Sequence, residues 1–371
     1  STYTYDGGDE PGPGPTPVEP EYADVSANAS RTASRTHEII INSKYANITG
    51  ENLSGAVFEV SENGQVKGTI TTNENGYGSL SWTISETRTS SSTKTYCSNY
   101  DQLDAETQAT VTGYTNRDDA YNAALREAES AAQSAADAAA NASRSVTVRE
   151  ITVPYGFNAT DDSTQNTSLA GNASHTFRVS DQPWKAKVEL DKVDGITGSR
   201  LTQEATFAIY EWDKTAGSYA VSPNYSVIRL EDGTYTVQAN YADAETGYVY
   251  YTQKNEGKFY NQEVKAPEGY LTDSDPVYFQ ITADNQTFVI GNNHPENYEI
   301  NDGTKFANQP SHIYIRIPKI DRYSGNMITE DASFTLFCHY GTFTKPVTFT
   351  KQEDGTYLLN EVYYADTFAN G

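Results

Sequence analysis

The chain is poor in cysteine and has no long apolar run. Cys97 and Cys338 are its two cysteines, and they lie too far apart in the sequence for a disulfide framework or a cysteine-based zinc site. No apolar run is long enough to cross a bilayer, and no signal peptide or C-terminal sorting signal is present. Because the first residue is Ser1 and not Met, we expect an excised or processed segment of an extracellular protein.

Positive charge is also scarce. The sequence has 26 Lys and Arg against 50 Asp and Glu, a formal net charge of −24. A field of this sign repels phosphate backbones and anionic lipid, which argues against nucleic acid and membrane surfaces as partners. The histidines are scattered, and no nucleophile elbow, phosphate-binding glycine loop or calcium loop is recognisable. We therefore expect no cofactor, no metal and no enzyme with turnover.

Aromatic residues and turn signals, by contrast, are abundant. Aromatics make up 12% of the chain, with 28 Tyr. Alternating segments at 38–42, 56–60 and 79–82, separated by turn residues, predict short antiparallel strands. The length suits two or three domains. Residues 1–35, rich in Pro and Gly and then in Ser, Ala, Asn and Thr, predict a flexible leader.

One segment, at 116–143, breaks the β pattern. Asn116 is a plausible N-cap, Asp118 and Asp119 would lie in the first turn, and a run dominated by Ala and Glu follows. The apolar stripe consists of Ala120, Ala124, Ala128, Ala132 and Ala135 or Ala136. We predict a helical insertion whose shallow stripe packs closely against a sheet or another helix.

The sequence repeats itself. Segments 44–50, 192–198 and 319–325 share one pattern that starts with a lysine, and each is followed by a strand carrying Phe58, Phe207 or Phe334. A second shared element is Glu-x-x-x-Pro-x-Gly followed by Phe or Tyr, at 150–157 and 263–270. A third precedes the next lysine-bearing strand, at 180–183 and 307–310. The order Lys, Glu, Asp or Asn thus occurs twice in full.

These repeats predict the domain organisation. The first domain would span 36–184 and carry the helical insertion, the second 185–311, and an incomplete third 312–371. Because the third repeat ends before any Glu-x-x-x-Pro segment, Lys319 is expected to have no intramolecular cross-link in this chain. We expect the parent protein to continue with the missing strands.

The repeated motifs resemble those of collagen-adhesin B-type and SpaA-like pilin domains, the immunoglobulin-like modules of Gram-positive surface proteins. The resemblance covers about 36–371 and implies an all-β fold of tandem immunoglobulin-like, or prealbumin-like, β-sandwiches. In that family a Lys on the first strand bonds to an Asn or Asp on the last, assisted by a Glu. Carried over, this implies a Lys192–Asn308 bond assisted by Glu263 and a Lys44–Asp181 bond assisted by Glu150. The first repeat departs from the pattern at Val153, where Ala is usual, and at Phe157 in place of Tyr.

Physical chemistry explains why such a bond needs these residue types. A Lys amine becomes a nucleophile when burial favours its neutral form. The same burial keeps the Glu protonated, so that it can polarise the acceptor carbonyl and shuttle protons as ammonia or water leaves. The folded sheets hold the groups together and so supply the effective concentration. The reaction happens once per domain, as maturation.

The expected function is a structural or adhesive module of a bacterial cell-surface protein, attached to the cell wall through parts outside this chain. One alternative is a ligand-binding adhesin that contacts host matrix or a glycan through the inserted helix and the Tyr-rich loops at 241–260. A less favoured one is an accessory region of a carbohydrate-active enzyme. Two weaker alternatives are a sortase motif near Trp184 and a thioester between Cys97 and Gln102.

Overall fold

The computed structural model describes residues 16–195, 199–290, 299–301, 307–308, 315–340 and 343–360. Its strands are β1 Tyr22–Ala46, β2 Val57–Glu62, β3 Gln65–Thr71, β4 Gly78–Cys97, β5 Arg144–Thr152, β6 Phe157–Ala159, β7 Thr164–Leu169, β8 Ala173–Pro183, β9 Lys185–Leu190, β10 Val193–Asp194, β11 Thr206–Asp213, β12 Ser218–Val221, β13 Tyr225–Arg229, β14 Tyr235–Ala239, β15 Tyr248–Tyr250, β16 Lys258–Lys265, β17 Val277–Gln280, β18 Gln286–Ile290, β19 Glu299–Asn301, β20 Ala307–Asn308, β21 Arg316–Ile317, β22 Leu336–Tyr340, β23 Phe343–Val347, β24 Phe349–Lys351 and β25 Tyr357–Leu359. Its helices are α1 Ala105–Gln108 and α2 Arg117–Ala140, with 3-10 turns at Tyr100–Gln102 and Asp161–Ser163.

The first sandwich consists of two four-stranded sheets, β4-β1-β8-β6 and β3-β2-β5-β7. Alternation along the strands places one face of each sheet in the core between them, as the period of two requires. The buried residues of this core are Ile39, Ile41, Ala56, Phe58, Val60, Ile70, Val146, Val148, Leu169, Phe177 and Val179. Parallel pairing of β8 with β1 begins at His37. Residues 22–36 of β1 therefore form a two-stranded ribbon with 83–97 of β4.

Helix α2 covers one face of this ribbon. Asn116 caps it as predicted, accepting a hydrogen bond from the Asp119 N–H at 2.8 Å. The helix buries Ala120, Ala123, Ala124, Ala128, Ala132, Ala136 and Ala140, and the inward side chains of the ribbon are Val25, Ala27, Ala29 and Ala33. Small side chains on both surfaces allow the backbones to approach closely. Ion pairs of Arg31 with Glu129 and of Arg35 with Asp137 flank the contact.

The predicted flexible leader is too long. Strand β1 begins at Tyr22, so residues 22–35 belong to the ribbon and are not a linker. Their composition resembles that of a linker, but Val25, Ala27, Ala29 and Ala33 lie on one side of the strand and are buried once α2 covers them. Of the two alternatives for the end of the helical stripe, Ala136 is buried and Ala135 is exposed.

The second sandwich pairs a four-stranded sheet, β12-β11-β16-β17, with a sheet of order β13-β14-β9-β18-β19 in which β15 also pairs with β9. Aromatic residues such as Tyr235, Tyr250 and Phe259 fill its core. The third repeat contributes a three-stranded sheet, β21-β25-β24, and the hairpin β22-β23. These sheets confirm the mostly β fold predicted from the sequence. No helix in the described part of the chain is both long and apolar enough to cross a membrane.

Two backbone hydrogen bonds around the lysine-bearing turn recur in all three repeats. The amide two residues after the lysine donates to the carbonyl five residues further on, at 2.8 Å in each case: Ala46 to Glu51, Asp194 to Ser199 and Asp321 to Asn326. The amide nine residues after the lysine donates back to the lysine carbonyl: Leu53 to Lys44, Leu201 to Lys192 and Ile328 to Lys319. The repeat found in the sequence is thus a repeat of local structure.

The first two sandwiches meet in a well-packed joint. Ala46, Leu53 and Phe157 of the first sandwich belong to the same buried cluster as the core of the second. Polar contacts add to it, because the Glu51 carboxylate accepts hydrogen bonds from the backbone amides of Gln253 and Lys254 at 2.7 and 3.0 Å. A contact that combines apolar burial with satisfied polar groups limits relative motion of the two sandwiches.

Two candidate cross-linking sites

Lys44 lies at an irregularity of β1. The register of β1 against β8 shifts between Ile41 and Lys44, and this shift turns the Lys44 side chain into the core, where it is fully buried. Its amine lies 5.5 Å from the centroid of the Phe58 ring. Its backbone is fixed from both sides, since Lys44 N–H donates to the Gly76 carbonyl at 2.7 Å and its carbonyl accepts from Leu53.

The two predicted partners of Lys44 converge on its amine. Glu150 is paired with Phe58 across β5 and β2, directly after a register shift, and its Oε2 accepts a hydrogen bond from Lys44 Nζ at 2.9 Å. Asp181 is paired with Ala46 across β8 and β1, and its Oδ1 lies 2.7 Å from Lys44 Nζ. All three side chains are fully buried. The long insertion between β4 and β5 therefore leaves the Glu150 strand in place.

Burial dominates the electrostatics of this first site. Desolvation raises the pKa of Glu150 to about 7, against the opposing effect of the Lys44 ammonium. Burial likewise raises the pKa of Asp181, again opposed by Lys44. Both shifts favour the protonated, uncharged carboxyl groups. A buried acid with a pKa near neutrality is suited to proton transfer.

The second site repeats this arrangement. Glu263 is paired with Phe207 across β16 and β11, again directly after a register shift. Its Oε1 lies 3.4 Å from Lys192 Nζ, and its Oε2 accepts a hydrogen bond from Asn308 Nδ2 at 2.8 Å. Glu263 thus bridges the amine and the amide. Lys192, Glu263 and Asn308 are all fully buried.

Other contacts orient the Asn308 amide, and burial changes the pKa of the Lys192 amine. Asn308 Nδ2 also donates to the Leu271 carbonyl at 2.7 Å, and the Asp273 amide donates to Glu263 Oε2 at 2.9 Å. Desolvation lowers the pKa of Lys192 to about 8, opposed by the charge of Glu263. A larger share of neutral amine at physiological pH follows from this shift.

Several buried polar atoms at both sites lack a hydrogen bond of acceptable geometry with any described residue. They are Glu150 Oε1, both carboxyl oxygens of Asp181, Glu263 Oε1 and Asn308 Oδ1. Asp181 Oδ1 and Glu263 Oε1 still form ion pairs with the lysine amines, so the other three atoms are the ones without a partner among the described residues. Leaving a buried polar atom without a partner costs about 1–3 kcal/mol. Such atoms are rare in folded proteins, so their accumulation in two matched places calls for a chemical reason.

Lys319 of the third repeat is in a different situation. It is half-buried, and no side-chain hydrogen bond or ion pair joins its amine to a residue in the described part of the chain. That it carries no intramolecular cross-link stays a prediction, since residues 361–371 lie outside the described ranges.

The structure also reveals residues that motif reasoning missed. Asp194 is buried beside Asn308, with which it pairs across β10 and β20. Tyr270 donates a hydrogen bond from its hydroxyl to Asp194 Oδ2 at 2.9 Å. Asp194 follows Lys192 by two residues and Tyr270 closes the Glu-x-x-x-Pro-x-Gly-Tyr segment, so both belong to motifs already recognised. Only the fold shows that they meet.

Other expected features look different in three dimensions. Tyr250 and Tyr251 of the Tyr-rich segment are buried, so these two rings are core residues and not a contact surface. The ring of Trp184 packs edge-on against Tyr155 at the joint. Cys97 is buried, and its thiol donates to Asn99 Oδ1 at 3.3 Å. The side chain of Cys338 lies outside the described part of the structure.

The second sandwich matches a known family of domains. Residues 186–301 match the family model described as SpaA, a prealbumin-like fold domain, and this confirms the resemblance predicted from the repeated motifs. Among solved structures, the Bacillus anthracis TIE protein is similar, with 17% identity, a TM-score of 0.42, and coverage of 89% of this chain and 43% of that chain. The chain therefore spans less than half of that protein.

Two pilins are similar over shorter stretches. The streptococcal ancillary pilin has 16% identity and a TM-score of 0.22, covering 75% of this chain and 62% of that chain. The shaft pilin SpaA from Lactobacillus rhamnosus GG has 14% identity and a TM-score of 0.21, and the match covers 76% of this chain and 99% of that chain. No curated protein matches the sequence. With TM-scores this low, the fold assignment rests on the strand topology and on the family match.

Proposed function

We propose that this chain is a load-bearing module of a bacterial surface protein, whose first two sandwiches are each locked by an autocatalytic isopeptide bond. The bonds are Lys44–Asp181 and Lys192–Asn308, assisted by Glu150 and Glu263. The observation that carries the proposal is the matched burial of a lysine, a glutamic acid and a carboxyl or amide acceptor in both sandwiches. Three buried polar groups are costly as separate groups and far cheaper once two of them form an amide.

In the second site the neutral Lys192 amine attacks the side-chain carbonyl carbon of Asn308. A new N–C bond forms and the C–Nδ2 bond breaks. Glu263 takes a proton from the attacking nitrogen and delivers one to the departing Nδ2, which leaves as ammonia. The hydrogen bond from Nδ2 to Glu263 Oε2 places the acid at the leaving group before the reaction.

In the first site the acceptor is a carboxylic acid, and the leaving group is water. Burial keeps the Asp181 carboxyl protonated, which makes its carbon a better electrophile. The short distance between Lys44 Nζ and Asp181 Oδ1 provides the proximity that amide formation needs. Glu150 transfers the proton from the amine to the leaving oxygen.

The position of the bonds in the sandwiches suits a load-bearing role. In the first sandwich the bond would join β1 to its parallel neighbour β8. Because load along the chain enters a domain through its terminal strands, a covalent bond between them prevents the sandwich from opening. The packed joint between the sandwiches would transmit the same load without a weak hinge. Such a module belongs outside the cell, with attachment to the cell wall supplied by other parts of the protein.

Intact mass after full denaturation tests the proposal. The wild-type chain should be lighter than its sequence by one ammonia plus one water, and tryptic peptides should show the Lys44 segment joined to that of Asp181 and the Lys192 segment to that of Asn308. Glu263→Ala should restore the ammonia alone and Glu150→Ala the water alone, so each variant controls for the other. A wild-type mass equal to that of the sequence would refute the proposal.

A further inference from the structure

A turn outside the repeated motifs holds the residue that precedes the first acceptor. Strand β6 pairs with β8 and ends at Ala159, which lies opposite Asp181. The chain then passes through the 3-10 turn Asp161–Ser163, which brings Asp162 back to Ser180. Asp162 Oδ2 accepts two hydrogen bonds from Ser180, one from its backbone N–H at 3.0 Å and one from its hydroxyl at 3.1 Å. Ser180 is therefore bound through its main chain and its side chain at once.

The other oxygen of Asp162 extends this contact. The Thr160 hydroxyl lies 2.6 Å from Asp162 Oδ1 and 3.0 Å from the Ser180 carbonyl oxygen, so it can donate to either atom. Asp162 is itself fixed, because Gln165 Nε2 donates to its backbone carbonyl at 3.0 Å. Ser180 thus has polar contacts at its N–H, its hydroxyl and its carbonyl. Most of the entropy of ordering this residue is therefore lost on folding and not during the reaction.

Ser180 connects the two reacting groups of the first site. It precedes Asp181 in the chain, and its carbonyl accepts a hydrogen bond from Lys44 Nζ at 3.5 Å. The same amine lies 2.7 Å from Asp181 Oδ1. Movement of the Ser180 backbone would therefore displace the acceptor carbon and a contact of the nucleophile together. A misplacement of about 1 Å can slow a reaction by roughly 100-fold.

The two acceptors, Asp181 and Asn308, are oriented in different ways. Asn308 Nδ2 donates hydrogen bonds to Glu263 Oε2 and to the Leu271 carbonyl, and these two bonds orient the amide directly. A carboxyl group has no N–H, and it offers at most one donor when it is protonated. The orientation of Asp181 must therefore depend more on its backbone, which is the part that is held through Ser180.

The charge of Asp162 has a compatible effect on the acceptor. Burial is the largest influence that raises the pKa of Asp181, Lys44 opposes it, and the negative charge of Asp162 adds a lesser increase. The increase favours the protonated carboxyl group, whose carbon is the better electrophile.

We propose that Asp162 is a positioning residue for the first cross-link, which holds Ser180 and so keeps the Asp181 carboxyl group against the lysine amine. This inference rests on the proposed cross-linking function and deepens it. Asp162 touches neither reacting group through a hydrogen bond of its own among the described contacts. It acts through the residue that lies between them.

The test follows the formation of both bonds in the full chain, made by cell-free synthesis at neutral pH. Samples taken over time are denatured and digested with trypsin, and mass spectrometry gives the fraction of Lys44 that is joined to Asp181. The Lys192–Asn308 join in the same sample controls for synthesis and folding. Asp161 provides the matched control, because it is an exposed acid of the same turn. The variants compared with the wild type are Asp162→Ala, Asp162→Asn, Asp161→Ala and Asp161→Asn.

We expect Asp162→Ala to slow the joining of Lys44 to Asp181 at least about tenfold, because the acceptor is no longer held in place. The second bond should form at the wild-type rate. Asp162→Asn keeps an oxygen that can accept from Ser180, so it should recover most of the rate, and both Asp161 variants should match the wild type. Wild-type joining in Asp162→Ala would overturn the inference. Joining in Asp162→Asn as slow as in Asp162→Ala would overturn it as well.

The Glu150→Ala background, in which the first bond cannot form, separates positioning from folding of the first sandwich. Adding Asp162→Ala to Glu150→Ala should leave the hydrogen-exchange protection of the β2 amides unchanged. Loss of that protection would mean that Asp162 only stabilises the fold, and would overturn the inference. A wild type in which Lys44 stays unjoined would instead overturn the proposed function at this site, and the inference with it.

Discussion

Gly156 lies against the ring of Tyr251 so closely that a Cβ atom at Gly156 would fall 2.1 Å from Tyr251 Cε1. Gly156 belongs to the first sandwich and Tyr251 to the second, and Phe157 and Trp184 also pack edge-on against the same ring. The glycine of the Glu-x-x-x-Pro-x-Gly motif therefore has a second role in the first repeat. It lets the neighbouring domain approach.

Gly156→Ala should weaken this joint. The residue has a φ of +91°, which an alanine adopts only with strain, and the added methyl group would overlap Tyr251. We expect a loss of about 2–4 kcal/mol in the free energy of unfolding, measured by denaturant titration, together with faster proteolysis near residue 184. Gly217→Ala is the matched control, because its φ of +66° has the same sign but its Cβ would meet no atom within 4 Å. If both variants lose the same stability, the contact with Tyr251 contributes nothing.

Packing of α2 on the ribbon gives a second prediction. Ala128 is fully buried on the helix, so Ala128→Leu has no room for the larger side chain. Overpacking of this kind costs roughly 1–3 kcal/mol, and hydrogen exchange of the ribbon amides should accelerate accordingly. Ala131→Leu, on the exposed face of the same helix, should change stability by no more than about 0.5 kcal/mol. A similar effect of both substitutions would contradict this packing.

Asp181→Asn tests whether the first site accepts either acceptor. The buried Lys44 amine can attack the carbonyl carbon of an amide as well as that of a protonated carboxyl group, so an amide there should react as a carboxyl group does. The cross-linked product is chemically the same for both, and the intact mass of the variant should equal that of the wild type. A mass higher by one ammonia would mean that the first site demands a carboxylic acid.

The sequence predicted which residues meet at the two sites better than it predicted their surroundings. Lys44, Glu150 and Asp181 stand in motifs that recur, and a recurring motif needs no knowledge of the fold to be seen. Their meeting point depends on register shifts at Ile41/Lys44 and Val57/Phe58. Such irregularities depend on pairing between distant strands, which local patterns do not encode. The pairing of Asp194 with Asn308 was missed for the same reason, because it exists only between distant strands.

The flexible leader predicted over residues 1–35 is wrong where the structure has the ribbon. Residues 22–35 have a linker-like composition, and their order depends on α2, which follows about a hundred residues later in the sequence. One signal was available. Val25, Ala27, Ala29 and Ala33 alternate with polar residues, the period expected of a strand, and their small size matches the alanine stripe of the helix. Two weak patterns that fit each other are stronger evidence than either alone.

The last prediction concerns how stability depends on pH when the first bond cannot form. Lys44→Met keeps the apolar stem but removes the amine, which leaves Glu150 buried without its cation. Burial already raises the pKa of Glu150 to about 7 from a usual value of 4.5, and losing the ammonium removes an influence that lowers it. Burial also raises the pKa of Asp181, with the same sign.

In the native state of this variant the acids hold their protons at a pH where the unfolded chain has released them. Stability must then fall as pH rises from about 4.5 through 7, because the native state binds more protons than the unfolded state across that window. The Glu150 shift corresponds to roughly 3 kcal/mol, which calorimetry of the first sandwich between pH 5 and 8 would detect as a steady drop in Tm. Adding Glu150→Gln and Asp181→Asn to Lys44→Met removes both acids and should flatten the profile. A Lys44→Met protein as stable at pH 8 as at pH 5 would show that these carboxyl groups are not held protonated by burial.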